Sequence, residues 1–264
     1  MNKTMPDTIT VTVLGSGSCV PSLYRSACAV LMETGGKRLL FDIGPGTMHR
    51  LLSAGVGIFD IDCLFISHFH PDHTGELVSF LFATKYPEPR ARQRPLTIIG
   101  GPGFAAFYNQ LNTVFQHWID LPGRLRILET GPDFEQQALD GFTWTAAPVD
   151  HRPESMAYRI DTPGGFSAVY SGDTDYAENL IRLAENTDLL ICESALPDGD
   201  KVDGHMTPSM AGRMAAAAGV KQLMLTHFYP ECDDADISGQ CRKTYDGPLR
   251  LARDLISFDV TEIP

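Results

Sequence analysis

No stretch of the 264-residue chain approaches the ~20 consecutive apolar residues that a membrane helix needs. No membrane partner is therefore expected. The first ten residues, MNKTMPDTIT, carry no apolar segment of the kind a secretory signal has, and the expected compartment is the cytoplasm. Cysteine is sparse and scattered. Cys19, Cys28, Cys63, Cys192, Cys232 and Cys241 form no CxxC pair, so nothing supports a cysteine-built zinc site. Buried or free thiols in a reducing compartment are expected. Positive charge is also short: 21 Lys and Arg face 33 Asp and Glu, a formal net charge of −12. That balance argues against broad electrostatic attraction to nucleic acid, although it leaves room for a local basic patch. No internal repeat, low-complexity tract or long linker divides the chain, so one domain over residues 1–264 is expected.

What is present is an alternation of strand-like and helix-like segments. TITVTVL at 8–14 reads as a strand, followed by the Gly/Ser/Pro loop GSGSCVPS. ACAVLMET and KRLLFDIG read as two strands around Gly35–Gly36. GTMHRLLSAG reads as a helix ended by Gly55, and IDCLFIS as a buried strand. GELVSFLFATKY, FAAFYNQLNTVF, YAENLIRLAEN and TPSMAGRMAAAAG read as helices. LTIIG, LRILET, FTWTAAPV, MAYRID, FSAVYSG, TDLLICES and KQLMLTH read as strands. This alternation predicts an α/β protein of layered sheets and helices.

The sharpest local feature is SHFHPDHTGE, residues 67–76. His68, His70, Asp72 and His73 fall within six positions, just after an apolar strand, in a chain with only 8 histidines. A lone histidine is ordinarily a surface residue or a hydrogen-bonded core residue. Four imidazole and carboxylate ligands leaving one strand end suit zinc and related divalent ions. With further ligands from elsewhere they could hold two ions. His151 in APVDH, Asp173 in VYSGDTD and His227 in LMLTHF also follow strands, and His205 lies in the polar loop DGHMTP. Strand ends are where an α/β sheet places functional groups. Only His49 and His117 stand apart, in and near helices. Lys85, Arg90, Arg92 and Arg94 cluster near the metal loop in sequence and read as a solvated loop rather than a phosphate site, and Phe69 reads as a packing residue.

HFHPDH resembles the HxHxDH signature of the metallo-β-lactamase fold, and the resemblance runs over nearly the whole chain. LLFDIGPGT looks like the segment carrying that family's buried aspartate, here Asp42. His151, Asp173 and His227 fall in the order of the later motifs. The fold this implies is an αββα four-layer sandwich, two mixed sheets face to face with helices outside. LGSGSCVPSLYRS looks like the N-terminal segment of the ribonuclease Z branch. DLLICESAL resembles that branch's HEAT motif, with Cys192 at the usual histidine and Glu193 retained. GHMTP resembles its His-Ser-Thr loop, with Met206 in place of serine, and the separation of His205 from His227 looks like the branch's own. One departure is plain. RPESMAYRIDTPGGFSAVYSG, between His151 and Asp173, has no room for the long arm with which ribonuclease Z grips transfer RNA. The chain looks like an armless relative.

The resemblance assigns His68, His70 and His151 to one metal and Asp72, His73 and His227 to another, with Asp173 bridging them. The ions would be Zn2+, with Mn2+ or Fe also compatible. Attack by metal-activated water is implied, with Asp72 helping to orient it, His205 protonating the leaving oxygen and Glu193 supporting His205. Asp42 is expected to be structural, orienting a ligand. The implied activity is a dinuclear phosphodiesterase acting on a small or cyclic phosphodiester, or on RNA as a transfer-RNA 3′-processing endonuclease. A lactone or thioester hydrolase on the same fold, and a metal-binding scaffold without turnover, are the other readings. The resemblance also implies a homodimer.

Overall fold

The computed structural model describes residues 8–139 and 141–260. The first half of the chain supplies β1 (Ile9–Gly15), β2 (Ala29–Thr34), β3 (Lys37–Phe41), β4 (Cys63–Ile66), β5 (Leu96–Gly100) and β6 (Leu125–Glu129). The second half supplies β7 (Gln137–Leu139), β8 (Phe142–Pro148), β9 (Met156–Asp161), β10 (Ser167–Tyr170), β11 (Leu189–Glu193), β12 (Leu223–Thr226), β13 (Leu249–Leu251) and β14 (Ser257–Val260). Two seven-stranded sheets result, ordered β14-β1-β2-β3-β4-β5-β6 and β13-β12-β11-β10-β9-β8-β7. Each is antiparallel along one side and parallel along the other: β3 to β6 run parallel in the first, β10 to β13 in the second. The helices are α1 (Thr47–Ser53), α2 (Pro71–Thr74), α3 (Leu77–Lys85), α4 (Phe104–Phe115), α5 (Glu178–Leu183), α6 (Pro208–Ala217) and α7 (Ile237–Arg242).

The strands are apolar on both faces because both faces are covered. Successive side chains of a strand point to opposite sides. Val11, Val13, Val30, Met32, Leu39, Phe41 and Phe65 point inward and meet Trp144, Tyr158, Ile160, Ala168 and Tyr170 of the second sheet. Leu31, Leu40, Leu64 and Ile66 point the other way, against Leu51, Phe80, Leu81 and Phe104 of the helices. This is the αββα sandwich, two mixed sheets with helices outside. Phe41 and Phe65 stack at the centre, ring centroids 4.8 Å apart, and Tyr158 lies edge-on to Phe65 at 5.1 Å.

Some boundaries differ from the sequence reading. The segment YAENLIRLAEN is helical only over Glu178–Leu183. Asn186, at φ 53°, has turned into the left-handed region that ends a helix. The metal loop contains a helical turn, α2, with Pro71 at its first position. The strands β7, β13 and β14 and the helix α7 were not read from the sequence. β14 crosses back to pair antiparallel with β1, Ile9 opposite Val260.

All the strands that precede the chemically interesting residues end on one rim. β3 and β4 are parallel neighbours. β8, β10, β11 and β12 also share a direction, since β8 and β10 both run antiparallel to β9 and β10, β11 and β12 are parallel. Two residues on that rim hold left-handed backbone without being glycine: Asp42 at φ 58° and His227 at φ 61°. Each costs on the order of 1–3 kcal/mol, and such strain gathers at functional sites.

Candidate metal centre

His68 follows β4, His151 follows β8, Asp173 follows β10 and His227 follows β12, so the sheets themselves bring the four together. Asp72 and His73 come from α2. One group of ligand atoms comes from His68, His70, His151 and Asp173, and a second from Asp72, His73, Asp173 and His227. Within each group the atoms lie within 4.8 Å of one another. Asp173 belongs to both: its Oδ2 lies 3.6 Å from His68 Nε2, and its Oδ1 lies 3.2 Å from His73 Nε2 and 3.3 Å from His227 Nε2. Asp72 Oδ2 lies 3.5 Å from His227 Nε2. His70 Nδ1 faces His151 Nε2 at 3.2 Å.

The imidazoles are aimed by their other nitrogens. His73 Nδ1 donates to Asp42 Oδ2 at 2.7 Å, His151 Nδ1 donates to the Gly204 carbonyl at 2.8 Å, and His68 Nδ1 sits 3.1 Å from Ser67 Oγ. Each bond selects the tautomer whose Nε2 lone pair points into the cluster. Asp42 is itself fully buried and held by Ser67 N, Ser67 Oγ and the Tyr170 hydroxyl, with Cys28 Sγ behind Tyr170 at 3.2 Å. Asp42 thus lies behind His73, on the side away from the cluster. Ser67, Tyr170 and Gly204 were not anticipated. Ser67 could have been suspected from its place beside His68, but nothing in FSAVYSG marks Tyr170.

The donor set fits divalent cations. His68 Nε2 and Asp173 Oδ1 are buried and have no hydrogen-bond partner, although each lies close to other ligand atoms. Buried polar atoms are ordinarily paired. Here several lone pairs converge on shared space instead, which is what a cation needs. Burial, followed by the neighbouring His73, pushes the His68 imidazole far below its ordinary value and keeps it neutral. Burial opposes ionisation of Asp173, but His227 and His73 outweigh it and hold the carboxyl well below the usual range.

A second pair sits over this cluster. His205 Nδ1 donates to Glu193 Oε1 at 2.8 Å. The His205 ring stacks on His227 with centroids 5.5 Å apart and lies 4.9 Å from His151. Burial outweighs the opposing pull of His205 and holds the Glu193 carboxyl above its ordinary value. The Glu193 carboxylate also accepts N–H bonds from Thr174, Ala195 and Met206, so four donors support its ionised form. Burial likewise disfavours the charged imidazole of His205, but the Glu193 bond and charge outweigh it and push it up to about 9.

The basic cluster read from the sequence is not a solvated patch throughout. Arg92 is buried and donates to the carbonyls of Ile61 and Ile58. Lys85 bonds the His117 carbonyl and Asp120, and Arg94 bonds Asp62. These cations hold loops together. Phe69 stacks on Phe107 at 4.7 Å and packs the metal loop against α4, as expected. His49 and His117 are exposed and lie outside the cluster. Of the six cysteines only Cys19 is exposed.

Residues 37–228 match the beta-lactamase superfamily domain. A ribonuclease Z from Mycobacterium bovis is 32% identical over 244 residues, covering 83% of this chain and 86% of the relative. The chain belongs to the metallo-β-lactamase superfamily, in its ribonuclease Z-like branch. Two solved structures in this superfamily superpose closely. The metallo-beta-lactamase fold protein YhfI from Bacillus subtilis gives a TM-score of 0.82 at 25% identity, over 96% of this chain and 99% of that one. Human tRNase Z, short form, gives 0.78 at 24% identity, over 96% and 100%. The superfamily's fold and the His/Asp clusters together make the chain a metal-dependent hydrolase. Among the described residues no helix is long and apolar enough to cross a membrane.

Proposed function

We propose that the protein is a dinuclear metal-dependent phosphodiesterase acting on small diesters. The observation that carries this reading is the His205–Glu193 pair placed over the two ligand groups. A thioester, whose thiolate is a good leaving group, has little need of a buried acid at this place. A phosphodiester with an alkoxide leaving group does.

His68, His70 and His151 would hold one ion, and Asp72, His73 and His227 the other, with Asp173 shared. Zn2+ suits the imidazole-rich set, and Mn2+ or Fe can use the same ligands. Such ions, when bound, supply hydroxide from water near neutral pH and countercharge for phosphate oxygens. The chain's own residues do the rest. Asp42, Ser67 and Gly204 fix which nitrogen of His73, His68 and His151 faces the ligand cluster. The half-buried carboxylate of Asp72 stands at the cluster's edge and can accept a hydrogen bond that orients the attacking water. Glu193 keeps His205 protonated, and His205 delivers its proton to the leaving oxygen. A positioned acid of this kind contributes about 10²–10⁴-fold in rate.

The small-substrate reading is supported by the link between His151 and Asp173. It consists of β9, a turn and β10, and both strands are committed to the second sheet. Lys85, Arg92 and Arg94, the cations that follow the metal loop in sequence, are engaged in holding structure. A transfer-RNA 3′-processing activity is the second reading, favoured by the ribonuclease Z identity of the M. bovis relative. The test is turnover of three substrates by one zinc- or manganese-loaded preparation: bis(p-nitrophenyl) phosphate, a precursor transfer RNA and a simple lactone. Diester turnover with intact transfer RNA supports the proposal. Site-specific RNA cleavage would move the assignment to the second reading, and lactone turnover alone would refute both.

A further inference from the structure

His151 and His205 hang from adjacent residues of one loop. The Gly204 carbonyl accepts His151 Nδ1–H at 2.8 Å, and His205 is the next residue. That loop runs from Asp198 to Thr207, between β11 and α6, and contains only a three-residue helical turn at its start. Glu193 holds the imidazole of His205 and the Met206 N–H, but neither bond is to Gly204 itself. Asp175 bonds it directly. Its Oδ2 accepts the Gly204 N–H at 3.0 Å and the Lys201 ammonium at 2.8 Å. Lys201 Nζ also donates to the Val202 carbonyl at 2.6 Å, closing the loop on itself. The other oxygen, Oδ1, accepts Tyr176 N–H at 2.8 Å, which sets the rotamer of Asp175. The backbone of Asp175 is pinned in turn, its N–H donating to the Asp150 carbonyl at 2.7 Å, one residue before His151. Gly204 itself leaves no slack. It sits at φ 82°, and a Cβ there would lie 2.9 Å from His151 Nδ1.

We propose that Asp175 is a positioning residue that couples one metal position to the proton donor. Its carboxylate clasps the Lys201–Gly204 segment against the strand ends that carry His151 and Asp173. Through Gly204 it fixes the tautomer and direction of His151, and through the next peptide it fixes where His205 stands. Lys201 completes the clasp. The His205 half of this inference rests on the phosphodiesterase reading, while the His151 half rests on the metal-centre geometry alone.

The experiment compares wild type with Asp175→Ala, Asp175→Asn and Lys201→Met in three readouts. Zinc affinity is measured by competition with a chromophoric chelator. The His151 tautomer is read in zinc-loaded protein carrying 15N-histidine. Diester kinetics separate kcat from KM. Asp175→Ala is expected to weaken one of the two zinc ions by about 10–100-fold, as loss of a partner behind a metal ligand does, and to leave the other unchanged. It should also blur the Nδ1–H signal of His151 and lower kcat, with KM within about twofold. Asp175→Asn, which keeps an acceptor for the Gly204 N–H, should recover most of the zinc affinity, and Lys201→Met should fall between. A lower denaturation midpoint with unchanged zinc affinities, tautomer and kcat would show a purely structural role and overturn the inference. If wild type turned over no diester, the proposed function would fail while the zinc and tautomer readouts would still decide the clasp.

Discussion

Replacing Asp42 by asparagine perturbs the centre without touching any ligand. The carboxylate accepts four bonds: Ser67 N at 2.8 Å to Oδ1, and Ser67 Oγ, His73 Nδ1 and Tyr170 Oη to Oδ2, each at 2.7 Å. An amide cannot accept on both sides. With its oxygen kept at the Oδ2 place, its NH2 faces the Ser67 N–H and leaves a buried donor unpaired, at about 1–3 kcal/mol. The three remaining bonds lose their charge assistance, which roughly halves each. The opposite flip sets the NH2 against three donors and is worse. Relief of the carboxylate's own desolvation offsets part of this, and the net loss is about 3–5 kcal/mol, the usual cost of breaking a buried charged network. The backbone contributes nothing, because asparagine tolerates the left-handed φ of 58° as readily as aspartate. His73 also loses the partner that selects its tautomer, so one ion should bind about 10–100-fold more weakly. Urea denaturation of the metal-free protein measures the first effect, and zinc competition the second. A stable variant with both zinc affinities intact would refute the account of how the centre is oriented.

Three further outcomes are expected. Phe65→Ala, which removes the ring stacked on Phe41 and edge-on to Tyr158 and Trp144, should cost about 3–5 kcal/mol in denaturation while the folded fraction keeps its zinc. Arg92→Met should lose about 1–3 kcal/mol, because one buried and one partly buried carbonyl lose their donor, and should leave diester KM unchanged; a large rise in KM would make the cation part of the substrate surface. Burial opposes ionisation of Asp198, but Ser209 and then Thr207 and Lys243 outweigh it and hold the carboxyl below its ordinary value. A depressed folded-state value stabilises above the unfolded pKa of about 3.9 and fades as pH falls through the folded one. The gap in urea midpoint between wild type and Asp198→Asn should therefore narrow as pH falls from about 6 toward about 3, and a gap that widens on acidification would contradict the assignment.

Much of the molecule was legible in the sequence because both of its signals are local. The strands of the inner layers are short continuous apolar runs, and burial on both faces makes them so. The histidines sit at strand ends, and parallel strands deliver their ends to one rim, so HFHPDH, His151, Asp173 and His227 could be grouped before any coordinates. What stayed hidden depends on contacts distant in sequence. Tyr170 reaches Asp42 from across the sandwich, and its sequence neighbours mark it only as a core strand residue. β14 alternates the exposed Ser257 and Asp259 with partly buried and buried positions, too short and polar to stand out. The arginines of 90–94 looked solvated because charge in a Pro-rich loop usually is. Arg92 is buried by two carbonyls that no pattern announces.

The most direct test of the central claim compares wild type and His205→Ala, each shown to hold two ions per chain, on two diesters. One diester releases p-nitrophenolate, a good leaving group, and the other an alkoxide that needs a proton. The account predicts that the variant keeps both ions, loses about 10²–10⁴-fold in kcat on the alkyl diester, and loses far less on the p-nitrophenyl diester. Equal losses on both, or no loss on either, would contradict His205 as the proton donor, and absence of turnover of either diester by the wild type would contradict the reading of this site as a phosphodiesterase.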